Sequence, residues 1–139
     1  MDRLGSERVL ITRGVSDAMQ AHALEAQPEE CCGLLAGDGN VITSAYRLHN
    51  EAERPETRYF ASPEDLFAAM KAMRQEGVEM MGIYHSHPSS PAYPSRSDVE
   101  LAFYSDSIYF IVSLAGNLEI CAFRIGGGNI SSVDIEIVE

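Results

Sequence analysis

The sequence predicts an α+β fold: a mixed, curved β-sheet flanked by helices. Two observations carry that reading. Short apolar runs are joined by Gly- and Asn-containing turns at hairpin spacing, as in CCGLLAG–DGN–VITSAYRL and IYFIVSL–AG–NLEICAFRI. Two amphipathic helical segments stand among them without the regular strand–helix alternation of a parallel α/β sheet. The chain of 139 residues suits one domain, 1–139, with length enough for a real core.

Each element has a local reason. RVLITR (8–13) reads as a strand, and Ser16 as the N-cap of an alanine-rich helix running to Pro28. The strand beginning at Cys31 and the strand VITSAYRLHN form a hairpin over 31–49. The polar NEAERPETR is a loop, and Arg58 to Phe60 a short strand. Ser62-Pro63-Glu64-Asp65 is a helix start, combining an N-cap, a proline at the first helical position and acids at the positive end of the dipole. Leu66, Phe67, Met70 and Met73 follow at helical spacing, and Gly77 ends the helix. VEMMGIY (78–84) is a buried strand whose end delivers His85-Ser86-His87 to a Pro- and Ser-rich loop. Asp98 opens a short helix, DVELAFY. A hairpin around Ala115-Gly116 and a last strand, SVDIEIV, complete the chain.

The balance of 21 acidic against 10 basic residues, a net charge of −11, argues against nucleic acid as the main partner. No apolar stretch is long enough for a membrane span, and residues 1–14 lack the pattern of a secretory signal, so a cytoplasmic location is expected. Cys31, Cys32 and Cys121, an odd count without a CxxC pair, read as core residues rather than a disulfide framework or a thiolate metal site. On a strand, Cys31 and Cys32 would point to opposite faces.

The chemistry concentrates after residue 84. Two histidines at i and i+2 on a strand share a face and can reach one ion; Asp98, at a helix start beyond a proline-punctuated loop, can return a carboxylate to it. Two imidazoles and one carboxylate are a catalytic zinc set that leaves a position for water. Such a centre needs a base for the water's proton, and Glu29 and Glu30, just before CCGLL, both qualify on position. Ser95 could donate its hydroxyl to a developing oxyanion. A histidine pair alone is as readily a core feature as a ligand pair. A non-haem iron triad or cupin is disfavoured, since PSSPAYP holds no acid and no histidine follows His87. His22 and His49 read as a solvent-facing helix residue and a strand-end residue.

The strings HSHPSSPAYPSRSD and PEECCGLLAG resemble the JAMM (MPN-plus) metalloprotease family, over most of the chain from Val9 to about Ile125. The resemblance implies a helix-flanked sheet like that of cytidine deaminase. It makes His85, His87 and Asp98 the ligands of Zn2+, Glu30 rather than Glu29 the general base, and Ser95 the residue that stabilises the tetrahedral intermediate. It further implies cleavage after the C-terminal Gly-Gly of a ubiquitin-like protein, here a sulfur-carrier protein, by tail trimming or by release of cysteine from a carrier adduct. The alternative is an MPN scaffold that keeps a metal without turnover, which an intact Glu30 argues against. A DNA-associated relative is disfavoured by the acidic charge. A Gly-Gly tail is expected to lie extended along a sheet edge, between the loops Asn50–Arg58 and Pro88–Pro94, with Asn50 and Tyr93 as substrate contacts and Tyr59 more a packing residue. A homo-oligomer is compatible with these features.

Overall fold

The structure, a computed structural model, describes residues 7–139. Chain order is β1 (Glu7–Thr12), α1 (Arg13–Ala26), β2 (Cys32–Gly37), β3 (Val41–Leu48), α2 (Pro63–Glu76), β4 (Glu79–His87), α3 (Arg96–Glu100), β5 (Ile108–Ser113), β6 (Glu119–Gly126) and β7 (Asn129–Val138). The sheet is mixed, as expected, but it does not stop at curvature. The strands pair in the ring β1-β3-β2-β4-β5-β6-β7, closed by a parallel pairing of β1 with β7 from Glu7↔Val133 to Thr12↔Val138. Every strand therefore has a neighbour on both sides, so the open sheet edge expected for an extended tail is absent among the described residues.

Two cores form on the two faces. Val15, Met19 and Ala23 of α1 pack with Val9, Ile11, Leu35, Ile42, Tyr84, Phe110 and Val112. On the other face Ala69 and Met73 of α2 meet Cys32, Leu34, Ile83, Tyr109 and Ile111. Strand alternation sends Cys31 to the first core and Cys32 to the second, and all three cysteines are free. None of the helices among the described residues is long and apolar enough to cross a membrane.

Four local expectations need correction. The cap of α1 is Thr12, whose hydroxyl accepts the Val15 N–H at 3.3 Å; Ser16 lies inside the helix and accepts from the Gln20 amide. The strand that carries the histidines does not end at Tyr84 but runs through His87, because the parallel pairing with β5 continues to His87↔Ser113. Arg58 to Phe60 form no strand, only an isolated bridge Asn50↔Ala61. The Asn50 side chain takes the place of a ladder there, donating to the carbonyls of Glu30 and Arg58 and accepting the N–H groups of Ala52 and Phe60. Finally, α3 begins at Arg96 and ends at Glu100, with Asp98 in its first turn and not at its start. The capping box between Ser95 and Asp98 sets that register. The helix α2 follows expectation, with Ser62 as cap, Pro63 in the first turn, and Gly77 at φ 73° closing it.

Candidate metal centre

The hydrogen-bond ladder of β4 between β2 and β5 holds His85 and His87 on one face, both essentially buried. Asp98, also buried, enters from α3. One oxygen of its carboxylate lies 3.1 Å from His85 Nε2 and 3.0 Å from His87 Nε2, and the two imidazole nitrogens are 3.2 Å apart. Three donor atoms thus form a nearly equilateral triangle. Bonds of about 2.0–2.1 Å to a tetrahedral zinc ion require ligand atoms roughly 3.3–3.4 Å from one another. The triangle is within a few tenths of an ångström of that size, so the donor set fits a single small divalent cation.

Neighbouring groups fix the orientation of the donors. His87 Nδ1 lies 2.7 Å from the Pro91 carbonyl, which can only accept; Nδ1 therefore carries a proton, and Nε2 is the nitrogen turned towards Asp98 and available to a cation once it is deprotonated. The Ser95 N–H donates to the Asp98 oxygen at 2.8 Å, while Ser95 Oγ accepts the Asp98 N–H at 3.1 Å. Tyr59 stacks on His85 with ring centroids 4.4 Å apart. This contact gives Tyr59 a place in the site that the sequence reading assigned to packing.

Charges at the site are shaped by burial. Burial opposes ionisation of Asp98, but hydrogen bonds from His85 and His87 outweigh it and hold the carboxylate well below its ordinary range. Burial pulls His85 down; at His87 the contacts to Asp98 and the Pro91 carbonyl outweigh burial and raise it. The two imidazoles share one anion and cannot both gain from it, so we take a neutral His85 as the firmer of the two, since it is the more deeply buried. Burial also pushes the Glu30 carboxyl up to about 8, with Asp98 adding to the rise and His87 opposing it.

Glu30 is anchored through its backbone. Its N–H donates to the Pro55 carbonyl at 2.7 Å, and its own carbonyl accepts from Asn50. The following residue is clamped to the HxH strand, with the Cys31 N–H donating to Ser86 Oγ at 2.8 Å and the Ser86 N–H donating to the Cys31 carbonyl at 3.1 Å. Its carboxyl oxygen Oε1 is buried without a hydrogen-bond partner, as is His85 Nδ1. Glu29 is exposed and takes no part. Of the expected site residues, then, His85, His87, Asp98, Glu30 and Ser95 converge. Tyr93 is 55% exposed with its ring edge on Phe123, and Asn50 spends its amide within the loop it braces.

Sequence reasoning missed the serine between the histidines and the support behind the strand. On the opposite face, Tyr84 reaches His22, whose Nδ1 lies 2.7 Å from the tyrosine hydroxyl. His22 is therefore half-buried and engaged, not solvent-facing; His49 is exposed beyond the end of β3, as expected. The Tyr84 ring crosses Gly33 so closely that a Cβ there would lie 2.2 Å from a ring carbon. The glycine of CCGLL was the available signal, since a glycine inside a strand marks close approach of another group.

Residues 12–126 match the family of prokaryotic homologs of the JAB domain. The chain is similar to the CysO-cysteine peptidase of Mycobacterium tuberculosis, with 35% identity over 141 residues, covering 99% of this chain and 97% of that one. It is also similar to the desampylase of Haloferax volcanii, 34% identical over 119 residues, covering 81% and 86%. Among solved structures, protein DSY2949 from Desulfitobacterium hafniense superposes with a TM-score of 0.86 at 35% identity, covering 94% and 93%. AF2198, a JAB1/MPN domain protein from Archaeoglobus fulgidus, shares the fold at a TM-score of 0.65 and 24% identity, covering 94% and 100%.

Proposed function

The chain belongs to the prokaryotic JAB-domain family, and from that premise we propose that it is a zinc-dependent peptidase cleaving after the C-terminal Gly-Gly of a ubiquitin-like sulfur-carrier protein in the cytoplasm. The observation that carries the reading is the triangle of His85, His87 and Asp98 together with a buried Glu30 whose Oε1 has no hydrogen-bond partner. His85, His87 and Asp98 would hold Zn2+, which supplies Lewis acidity and a water acidified towards a pKa of about 7. The named substrates of the relatives support the substrate class.

The chain's own residues have separable tasks. Glu30 takes the proton of the attacking water and passes it to the leaving amine; a carboxyl held high by burial exchanges protons near neutral pH. Ser95 has accepted the Asp98 N–H and still carries a hydroxyl proton of its own, which it offers to the oxyanion formed at the attacked carbonyl. Asn50 acts at one remove, bracing residues 50–60 as a wall for the tail, and Tyr93 is an exposed contact on the facing loop. Beyond Tyr59, an apolar cavity of about 240 Å³ lined in part by Leu34, Leu66, Phe103 and Tyr109 suits the apolar part of a carrier tail.

The test is hydrolysis of a carrier protein extended beyond its Gly-Gly terminus, with and without chelator. We expect one zinc per chain, cleavage after the second glycine, and loss of cleavage on chelation or in Glu30→Gln. Full activity in Glu30→Gln would remove the assigned base. Bound zinc with no turnover on any carrier extension would favour the scaffold alternative.

A further inference from the structure

The two imidazoles of the donor triangle are held in different ways. A metal-binding histidine ordinarily donates its second ring N–H to a carbonyl, a carboxylate or water, and that contact fixes the plane of the ring. His87 has it, through Nδ1 and the Pro91 carbonyl at 2.7 Å. His85 does not: its Nδ1 is buried and has no hydrogen-bond partner among the described residues. Its Nε2 nonetheless stands 3.1 Å from the Asp98 carboxylate, as closely placed as that of His87 at 3.0 Å. The second torsion of a histidine is soft, so a ring without a hydrogen bond turns unless its faces are packed.

The His85 ring is packed on a face. Tyr59 lies over it with ring centroids 4.4 Å apart and planes 22° from parallel, and the His87 ring stands edge-on at 5.0 Å and 62°. A turn of the imidazole about its Cβ–Cγ bond would drive one edge into the Tyr59 ring. A stacking partner restrains only if it is itself fixed, and Tyr59 sits in a loop without a strand ladder. Asn50 does the fixing. Its side chain donates to the Arg58 carbonyl at 2.9 Å and accepts the Phe60 N–H at 3.0 Å, so both neighbours of Tyr59 are tied to one residue. The Glu51 N–H adds a bond to the Phe60 carbonyl at 2.7 Å. The loop is pinned on either side of the ring.

We propose that Tyr59, clamped through Asn50, is the positioning residue for His85: ring stacking does for this ligand what the Pro91 carbonyl does for His87. The proposal rests on His85 being a metal ligand, as in the peptidase reading above. The contact is a property of the ring and not of the hydroxyl, so a phenylalanine would serve. An aliphatic side chain of similar bulk would fill the space but present no flat face, leaving His85 free to turn. Positioning and packing are thereby separable. Loss of packing weakens the folded chain with or without metal, whereas loss of positioning weakens the hold on the metal itself. The Asn50 amide also donates to the Glu30 carbonyl at 3.0 Å, so one side chain braces both the stacked ring and the residue assigned as base.

The experiment measures zinc affinity of the full chain by competition with a chromophoric chelator, alongside the unfolding temperature of the zinc-free protein. We expect Tyr59→Phe to bind zinc as wild type does. Tyr59→Leu should bind it about ten- to a hundredfold more weakly, the range for lost ligand-orienting contacts. Cobalt in place of zinc should report the same split, its visible absorption unchanged in Tyr59→Phe and altered in Tyr59→Leu. Wild-type affinity in a folded Tyr59→Leu overturns the proposal. A loss in Tyr59→Phe as large as that in Tyr59→Leu also overturns it, by placing the effect in the hydroxyl. Should Tyr59→Leu fail to fold without metal, Asn50→Ala decides, since it keeps the ring and frees the loop: weakened zinc binding supports the positioning role and wild-type affinity overturns it. No carrier enters the measurement. Zinc held equally by wild type and variants refutes the positioning role alone, whereas a wild type that holds no zinc refutes the peptidase reading and the proposal with it.

Discussion

Replacing Ser86 by alanine removes one hydroxyl that touches neither the donor triangle nor, in the reading above, the substrate. Ser86 is fully buried, and its Oγ is the acceptor for the Cys31 N–H at 2.8 Å. The alanine side chain fits, but the amide is left in a dry interior without an acceptor. An orphaned buried donor costs about 1–3 kcal/mol. For a chain of this size each kcal/mol moves Tm by roughly 3–4 °C, so the midpoint should fall by about 3–12 °C. The second effect is on position. Cys31 follows Glu30 directly, and the remaining tie at this point is the Ser86 N–H to the Cys31 carbonyl at 3.1 Å. Loss of half the clamp should lower kcat by about ten- to a hundredfold, the scale of a displacement near 1 Å in a catalytic group. Zinc content should hold, since Pro91 and Ser95 orient the donors independently of Ser86. The assay is calorimetry, metal analysis and turnover on the carrier substrate, with Glu30→Gln as the second arm of a double-mutant cycle. If Ser86→Ala unfolds at the wild-type temperature with wild-type kcat, the clamp is dispensable. If it costs the same factor in Glu30→Gln as in wild type, its effect does not pass through Glu30.

Other expectations concern the same face and its support. Gly33→Ala should destabilise the protein by about 1–3 kcal/mol in urea unfolding, because the Tyr84 ring must leave its place over β2. Zinc at a hundred times its dissociation constant should raise stability by about 2.7 kcal/mol, and Asp98→Ala should abolish that gain in a thermal-shift titration. Burial, with a smaller contribution from Arg47, lowers His22 from 6.5 to about 4. The unfolded chain therefore binds the extra proton first, and stability is lost as pH falls from about 6.5 to about 4. Discounted for partial exposure, the loss is roughly 1–2 kcal/mol. His22→Gln should flatten that part of the stability–pH curve.

What could be read from the sequence was local. The start and stop of α2 lie in Ser62, Pro63 and Gly77, and the turn residues marked the hairpins β2–β3 and β5–β6. The donor triangle was legible in part because strand alternation places His85 and His87 on one face, whereas the choice of Glu30 over Glu29 came from a resemblance alone. Closure of the sheet was not legible: no short-range pattern says that β1 will lie between β3 and β7. Nor was the absence of a strand at Arg58 to Phe60, where one asparagine side chain replaces a ladder. The true start of α3 was within reach, since Ser95-x-x-Asp is itself a capping signal; the ligand role expected of Asp98 drew the boundary to the wrong residue.

The pairing of β1 with β7 has a consequence for how the chain comes to be folded at all. Val9 and Ile135 are partners across more than a hundred residues of intervening chain, the kind of contact that forms late and slowly. During synthesis the donor triangle, the strand after Glu30 and the helices α1, α2 and α3 emerge from the ribosome well before residues 129–138. A nascent chain can thus carry every chemical group of the site while its first strand still has one side unsatisfied, open to pairing with another chain. Release of those last strand residues is the step that seals the ring and retires that hazard.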